Sequence, residues 1–379
     1  MPAYLAGRDS TLKNAEEDLV YLQNGFARQS KIYYGLRGVG KTVLLNAIEN
    51  KLESLNILHD YIEVSENDKF KQTIHIHILK LINKMSAIEA FKNYGKRVLG
   101  TLKAFKVTWA AESKEIGLGL NGDVDAAAGT ADTGNFQNDI TEVFLALGSL
   151  AKRCDKPICL IIDEIQYLKD DEFEGLIAAI HRINQKDYPF LLFGAGLPKI
   201  AKIAGDVKSY AERLFDFVPI GSLAEQDAVE ALVEPAKNKG VRYSDEAARK
   251  IFELTEGYPY FIQEFGKQVW QFINSDRIDI AAVDKAVPLF FTSLDNSFFK
   301  VRYDRATPRE KEFMYGMAAC ADLPCTLAQV AKNMGAKTKT ITPVRANLIH
   351  KGFIYPTSHG EIDFTVPQFD LYLKRTESH

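Results

Sequence analysis

The chain has 379 residues, of which 46% are apolar and 26% charged, a composition that excludes disordered and collagen-like chains. Its length predicts two or three domains. Lys and Arg number 47 against 50 Asp and Glu, and the net charge of −3 excludes a globally basic nucleic-acid coat, so any nucleic-acid contact must be local. No apolar run approaches the roughly 18 residues of a membrane span. The first residues lack the basic start and long apolar core of a secretory signal, and a cytoplasmic protein with no membrane partner is predicted. Cys154, Cys159, Cys320 and Cys325 have no histidine pair beside them at zinc-site spacing, which predicts buried, reduced thiols rather than a metal centre.

From residue 31 to about 220, short β-rich runs alternate with helical patterns, the mark of βαβ units on a parallel sheet. Strands are predicted at 31–35, 61–64, 158–162, 190–193 and 215–220. Those at 158 and 190 are apolar at every position, as strands covered on both faces must be. Residues 105–110 and 116–120 read as a hairpin, and 121–135, rich in Gly, Ala and Asp, reads as a polar loop. Together they form an insertion at about 105–135, either a spacer or a surface for a partner.

After Ser222 the apolar residues recur at three- and four-residue spacing over 223–239, 245–256, 260–274 and 280–299, predicting a helical domain. A last unit opens at Thr307-Pro308-Arg309-Glu310, a capping box with Pro at the first helical position. Helices at 308–320, 327–334 and 339–351, then strands at 353–355 and 361–366 around Ser358-His359-Gly360, predict a winged helix-turn-helix. The domains are therefore placed at 1–221, 222–300 and 301–379.

Two motifs carry chemistry. Gly35-Leu36-Arg37-Gly38-Val39-Gly40-Lys41-Thr42 follows a predicted strand and opens a predicted helix. Its glycines let backbone N–H groups turn onto a polyphosphate, and the helix presents its positive dipole end to the same charge. Lys41 is placed to reach the β- and γ-phosphates of ATP and Thr42 to ligate Mg²⁺. The second motif, Cys159-Leu160-Ile161-Ile162-Asp163-Glu164, ends a buried strand in two carboxylates. Asp163 is expected to hold the Mg²⁺ shell and Glu164 to polarise a water for in-line attack.

These motifs resemble those of the AAA+ ATPases, in the branch that contains the origin-recognition initiators and the related STAND signalling ATPases. The resemblance rests on Gly7-Arg8-Asp9, the phosphate loop, Asp163-Glu164-Ile165-Gln166, Arg213, Gly257-Tyr258-Pro259 and the terminal winged helix, and it spans nearly the whole chain. It implies an α/β AAA+ P-loop NTPase sheet with a helical lid and the winged unit. It further implies that Gly7 and Arg8 border the adenine, that Tyr258 and Pro259 contribute to the nucleotide site, and that Arg213 reaches the γ-phosphate of a neighbouring subunit in a homo-oligomer. The chain departs from the family at Gly194-Ala195-Gly196, where a water-orienting polar residue is usual, and after Gly257, where the initiators carry an arginine. Loss of such contacts lowers turnover by about a hundredfold, which predicts slow hydrolysis.

Residues 301–379 hold 11 Lys and Arg against 8 Asp and Glu, and Lys337, Lys339, Arg345 and Lys351 lie on the third helix of this unit or its lead-in, with Lys332 on the helix before it. A recognition helix enters the major groove by its N-terminal residues. The expected function is an ATP-binding switch that cycles between ATP and ADP and binds double-stranded DNA through Lys337, Lys339 and Arg345. The alternative is a STAND-like signalling or defence regulator whose winged helix and insertion contact proteins.

Overall fold

Strands with no polar position need cover on both faces, and the sheet provides it. The computed structural model describes residues 4–26, 28–67, 69–110, 125–200, 211–357 and 360–377. Five strands, β1 (Ser30–Tyr34), β2 (Leu58–Glu63), β3 (Ile158–Asp163), β4 (Phe190–Gly196) and β5 (Phe215–Pro219), form one parallel sheet in the order β2-β3-β4-β1-β5. All residues of β3 and β4 are buried. The helices of this unit are α1 (Asp9–Gln23), α2 (Lys41–Ser54), α3 (Phe70–Met85), α4 (Glu89–Trp109), α5 (Phe136–Arg153) and α6 (Asp170–Gln185). A continuous core of Ile78, Leu102, Phe144, Leu160, Ile177 and Leu192 fills the space between sheet and helices.

The described contacts divide the chain into two units. One comprises Arg8–Tyr34 and Lys41–Pro219; the other comprises Gly35–Gly40 and Ile220–His379 with the segment ending at Gly7. In the second unit the helices Glu225–Lys237, Asp245–Thr255, Pro259–Val269 and Ile280–Ser293 bury Ala228, Ile251, Phe261, Phe265 and Phe290. The helix predicted over 280–299 changes at Leu294 into the π-helical segment Leu294–Phe299. There Phe298 and Phe299 turn inward, Phe298 stacking on Tyr260 and Phe299 on Tyr372.

The C-terminal part runs helix Pro308–Ala318, strand Cys325–Thr326, helix Leu327–Asn333, helix Thr338–His350, strands Ile354–Pro356 and Glu361–Phe364, and helix Phe369–Glu377. Its three strands are antiparallel, with Glu361–Phe364 in the middle. Thr307 and Glu310 form the reciprocal cap, in which Glu310 Oε2 accepts the Thr307 N–H at 2.8 Å. The two-residue strand at Cys325 and the last helix carry no signal in the sequence reading. Lys351, counted with the cations of the third helix, instead pairs with the buried Glu310 at 2.9 Å. Residues 358 and 359 of the predicted turn lie outside the described residues. The four cysteines are buried and unpaired.

One expectation is corrected outright. Residues 105–109 are not the first strand of a hairpin but the last turn of α4. Val98, Leu102 and Phe105 recur at helical spacing and are all buried, and this longer period outweighs the short apolar run that suggested a strand. The second predicted strand, 116–120, lies outside the described residues, as do residues 121–124. The remainder of the loop is pinned rather than loose. The buried Asp139 of α5 accepts hydrogen bonds from Thr133 N (2.9 Å), Thr133 Oγ1 (2.7 Å), Gly134 N (3.1 Å) and Trp109 Nε1 (2.9 Å). A carboxylate so enclosed is held only because its donors compensate its lost hydration. Asp139→Ala orphans those donors and is expected to lower stability by about 3 kcal/mol in urea unfolding. A change below about 0.5 kcal/mol would show that the carboxylate does not hold the loop.

Candidate nucleotide site

The parallel sheet sets the stage, because β4 lies between β1 and β3 and the carboxyl ends of these strands carry the residues singled out above. In open α/β sheets ligands bind at that edge. The chain leaves β1 at Tyr34, passes through Gly35–Gly40 and enters α2 at Lys41. Gly35 admits no side chain: a Cβ there would stand 1.9 Å from the Ile220 carbonyl oxygen. Gly38 has φ +84°, and a Cβ on it would meet the Tyr260 Cβ at 3.1 Å and the Tyr258 Oη at 3.3 Å. The Gly38 carbonyl accepts the Tyr260 N–H at 3.2 Å. The loop is thus held by its backbone, with both glycines required by geometry.

Lys41 and Thr42 occupy the first turn of α2, and Lys41 is buried. Asp163 is the last residue of β3 and only 2% exposed. Its Oδ2 accepts the Thr42 hydroxyl at 2.7 Å and the Tyr61 hydroxyl at 3.0 Å, and its Oδ1 accepts the Glu164 N–H at 2.8 Å. Burial, with the charge of Asp163 adding to it, pushes the Tyr61 phenol well above its usual value, so Tyr61 stays a donor. The Thr42 hydroxyl and the Asp163 carboxylate together present an all-oxygen donor set, which suits a hard cation such as Mg²⁺. Among the described residues no three His, Cys, Asp or Glu side chains gather around one point. A cation held here would therefore complete its shell with water and phosphate oxygens, as Mg²⁺ commonly does.

Glu164 follows in left-handed backbone, φ 53° and ψ 36°, an uncommon conformation for a residue with a side chain and one that gathers at functional sites. Its Oε2 accepts a hydrogen bond from Gln166 Nε2. The other end of the same amide, Gln166 Oε1, accepts the Leu197 N–H at 3.0 Å. Gly194, Ala195 and Gly196 continue β4 and are fully buried. The Gln166 amide therefore spans from the tip of β4 to the carboxylate after β3.

The structure brings Lys41, Thr42, Asp163 and Glu164 to one edge of the sheet and adds Tyr61 and Gln166, which sequence reasoning did not assign. Gln166 stood within the quoted acidic motif, but no spacing rule marks it. Tyr61 becomes visible only once β2 is known to pair with β3 in the register Tyr61↔Ile161. Arg8 is the residue preceding α1. Tyr258 is buried at the N-cap of the helix that Pro259 opens. Arg213 is exposed on the four-residue helix Ala211–Leu214 directly before β5. It stands at the amino end of the sheet, not with the carboxylates.

Residues 7–193 match the family model of the AAA ATPase domain, and residues 296–373 match a domain of unknown function (DUF8462). No curated protein matches the sequence. Among solved structures, the Walker-type ATPase PABY2304 of Pyrococcus abyssi aligns with a TM-score of 0.60 at 13% identity, over 98% of this chain and 96% of that one. The Orc1 protein of Aeropyrum pernix, solved in complex with DNA, gives 0.47 at 14% identity over 100% and 93%. The RuvB Holliday junction branch migration motor of Thermotoga maritima gives 0.44 at 16% over 97% and 95%. At such identities the likeness is one of fold, and the first of these structures carries it. Residues 7–193 thus match an AAA ATPase domain, and together with β5 they build the α/β parallel sheet of a P-loop NTPase. No helix among the described residues is long and apolar enough to cross a membrane.

Gln166→Leu leaves the buried Leu197 N–H without an acceptor and is expected to cost about 2 kcal/mol in urea unfolding. Glu164→Gln, whose amide oxygen still accepts from Gln166, is expected to stay within about 0.5 kcal/mol of wild type. Equal stability of wild type and Gln166→Leu would show that the amide does not brace the site.

Proposed function

We propose that the protein is an ATP-dependent switch that hydrolyses ATP slowly and binds double-stranded DNA through a C-terminal winged helix. The observation that carries the ATP reading is the Thr42–Asp163 contact of 2.7 Å, which joins the helix after the phosphate loop to the acidic tip of β3. In this reading the Gly35–Gly40 amides with Leu36, Arg37 and Val39 enclose the phosphates, and Lys41 neutralises the β- and γ-phosphates. Gly7 and Arg8 border the adenine, and Tyr258 and Pro259 contribute from the helical lid. Thr42 and Asp163 hold Mg²⁺, which when bound supplies neutralising charge to the phosphate oxygens. Glu164 takes the proton of a water whose oxygen attacks the γ-phosphorus in line, while the bond to the ADP oxygen breaks.

Slow turnover is supported by two features. The Glu164 carboxylate already accepts from Gln166, so the base is engaged before any water meets it. The end of β4 offers only glycine and alanine where a polar side chain could orient that water. Arg213, exposed at the amino end of the sheet, would act on the γ-phosphate of a neighbouring copy in a homo-oligomer, giving a specific activity that rises with protein concentration.

The DNA reading rests on the C-terminal part. The order helix, strand, helix, helix, strand, strand from Pro308 to Phe364 supports a winged helix. Lys337 and Lys339 are exposed, Arg345 is half-buried, and Lys332 is exposed on the preceding helix. A solvated face usually interleaves acids with its lysines, and residues 327–351 contain no Asp or Glu.

Titration of a mixed-sequence duplex at low salt tests the proposal. Binding is expected to weaken with salt at a log–log slope of about −0.9 for each phosphate contact. The double variant Lys337→Glu/Lys339→Glu is expected to lose duplex binding and keep ATP binding, and Glu164→Gln to bind ATP and stall its hydrolysis. Wild type that binds no duplex with either ATP or ADP would turn the assignment to the protein-contacting regulator.

A further inference from the structure

The helix Pro259–Val269 begins without the arginine expected to meet the nucleotide, yet a cation stands beside it on a different element. Arg302 lies on the short helix Lys300–Tyr303 that follows the π-helical segment. Its guanidinium sits over the Phe298 ring at 4.0 Å and donates to the Phe298 carbonyl oxygen at 2.6 Å. Phe298 in turn stacks on Tyr260, centroid to centroid 4.3 Å, and Tyr260 is the residue whose N–H is bound by Gly38 of the phosphate loop. A continuous chain of contacts therefore runs from the loop through Tyr260 and Phe298 to Arg302.

Two further observations point to an anion at this place. The Tyr258 hydroxyl belongs to a residue only 1% exposed and has no hydrogen-bond partner among the described residues, and it would lie 3.3 Å from a Cβ on Gly38. A buried hydroxyl without a partner is costly, and this one faces the loop. The charges of both Arg302 and Arg37 act on that phenol. Burial first, and then Arg37, pull the Arg302 guanidinium down to about 10. The charges of Arg302 and Arg37 thus oppose one another, and Arg302 has no carboxylate partner among the described residues. A polyphosphate would serve both the Arg302 guanidinium and the Tyr258 hydroxyl, since it brings acceptor oxygens and negative charge together.

We propose that Arg302 is a phosphate-binding residue of the nucleotide site, donating to the polyphosphate enclosed by Gly35–Gly40 with the Tyr258 hydroxyl as the neutral donor beside it. The inference rests on the reading of that loop as the ATP site. It gives the C-terminal part of the chain a direct contact with bound nucleotide, through the element that links the helical region to the Pro308–Ala318 helix.

The test compares wild type, Lys41→Ala, Arg302→Met, Arg302→Lys and Tyr258→Phe by titration with a fluorescent ATP analogue in Mg²⁺ and by thermal melting with and without ATP. Arg302→Met keeps an apolar stem on Phe298 and removes the charge. It is expected to weaken ATP binding at least tenfold, to shrink the ATP-induced rise in Tm, and to leave the Tm of the free protein unchanged or higher. Arg302→Lys is expected to recover part of the affinity, and Tyr258→Phe to lose severalfold. Binding by Arg302→Met within twofold of wild type overturns the role of Arg302 alone. A loss of affinity matched by a lower Tm of the free protein in both Arg302 variants assigns the side chain to packing and also overturns it. No binding by wild type, or equal binding by Lys41→Ala, overturns the phosphate-loop reading itself and Arg302 with it.

Discussion

The structure of the ATPase domain depends on one carboxylate. Asp163 ends a strand with no polar side chain before it, and burial at 2% exposure is tolerable only because three donors converge on it. Those donors come from three places: Thr42 on the helix after the phosphate loop, Tyr61 on the edge strand, and the backbone of Glu164. Removing any one leaves a buried charge less compensated, which costs more than the hydrogen bond itself contributes. The same contact that stabilises the sheet edge places a hydroxyl beside a carboxylate. Stability and the proposed cation site are therefore built from the same atoms.

A second constraint acts on Glu164. Its left-handed backbone turns the chain sharply out of β3, and the Gln166 amide bridges its side chain to the backbone after β4. Under the proposed function this hydrogen bond occupies one oxygen of the Glu164 carboxylate before a water meets it. Gly196 at the end of β4 belongs to the same arrangement, since a Cβ on it would lie 2.9 Å from the Gln166 oxygen. The absence of a polar side chain on β4 and the presence of Gln166 are thus two sides of one packing solution.

The sheet was most legible at β3 and β4, whose short apolar runs carry no polar side chain before Asp163, and the phosphate loop because its glycines and lysine obey a fixed spacing; β2, which begins at Leu58 rather than at the predicted residue 61, carries His59, Asp60 and Glu63 and was less so. The capping box at Thr307 was legible for a similar reason, since a local rule covers four adjacent residues. What stayed hidden depends on pairing across long sequence distances. Tyr61 reaches Asp163 through the register of β2 on β3, Gln166 reaches Leu197 across 31 residues, and Arg302 approaches the loop through Tyr260 and Phe298. The misread run at 105–110 shows the opposite failure. Six residues are too few to separate a strand from the end of a helix, and only the buried positions Val98, Leu102 and Phe105 reveal the period.

The central claim is that Thr42 and Asp163 form a cation-dependent nucleotide site at the carboxyl edge of the sheet. Calorimetric titration of ATP into wild type and Asp163→Asn, each with Mg²⁺ and with EDTA, tests it most directly. Wild type is expected to bind ATP at least tenfold more tightly with Mg²⁺ than without, and Asp163→Asn to bind with nearly the same affinity in both. An Mg²⁺ effect of equal size in the two proteins would contradict the claim.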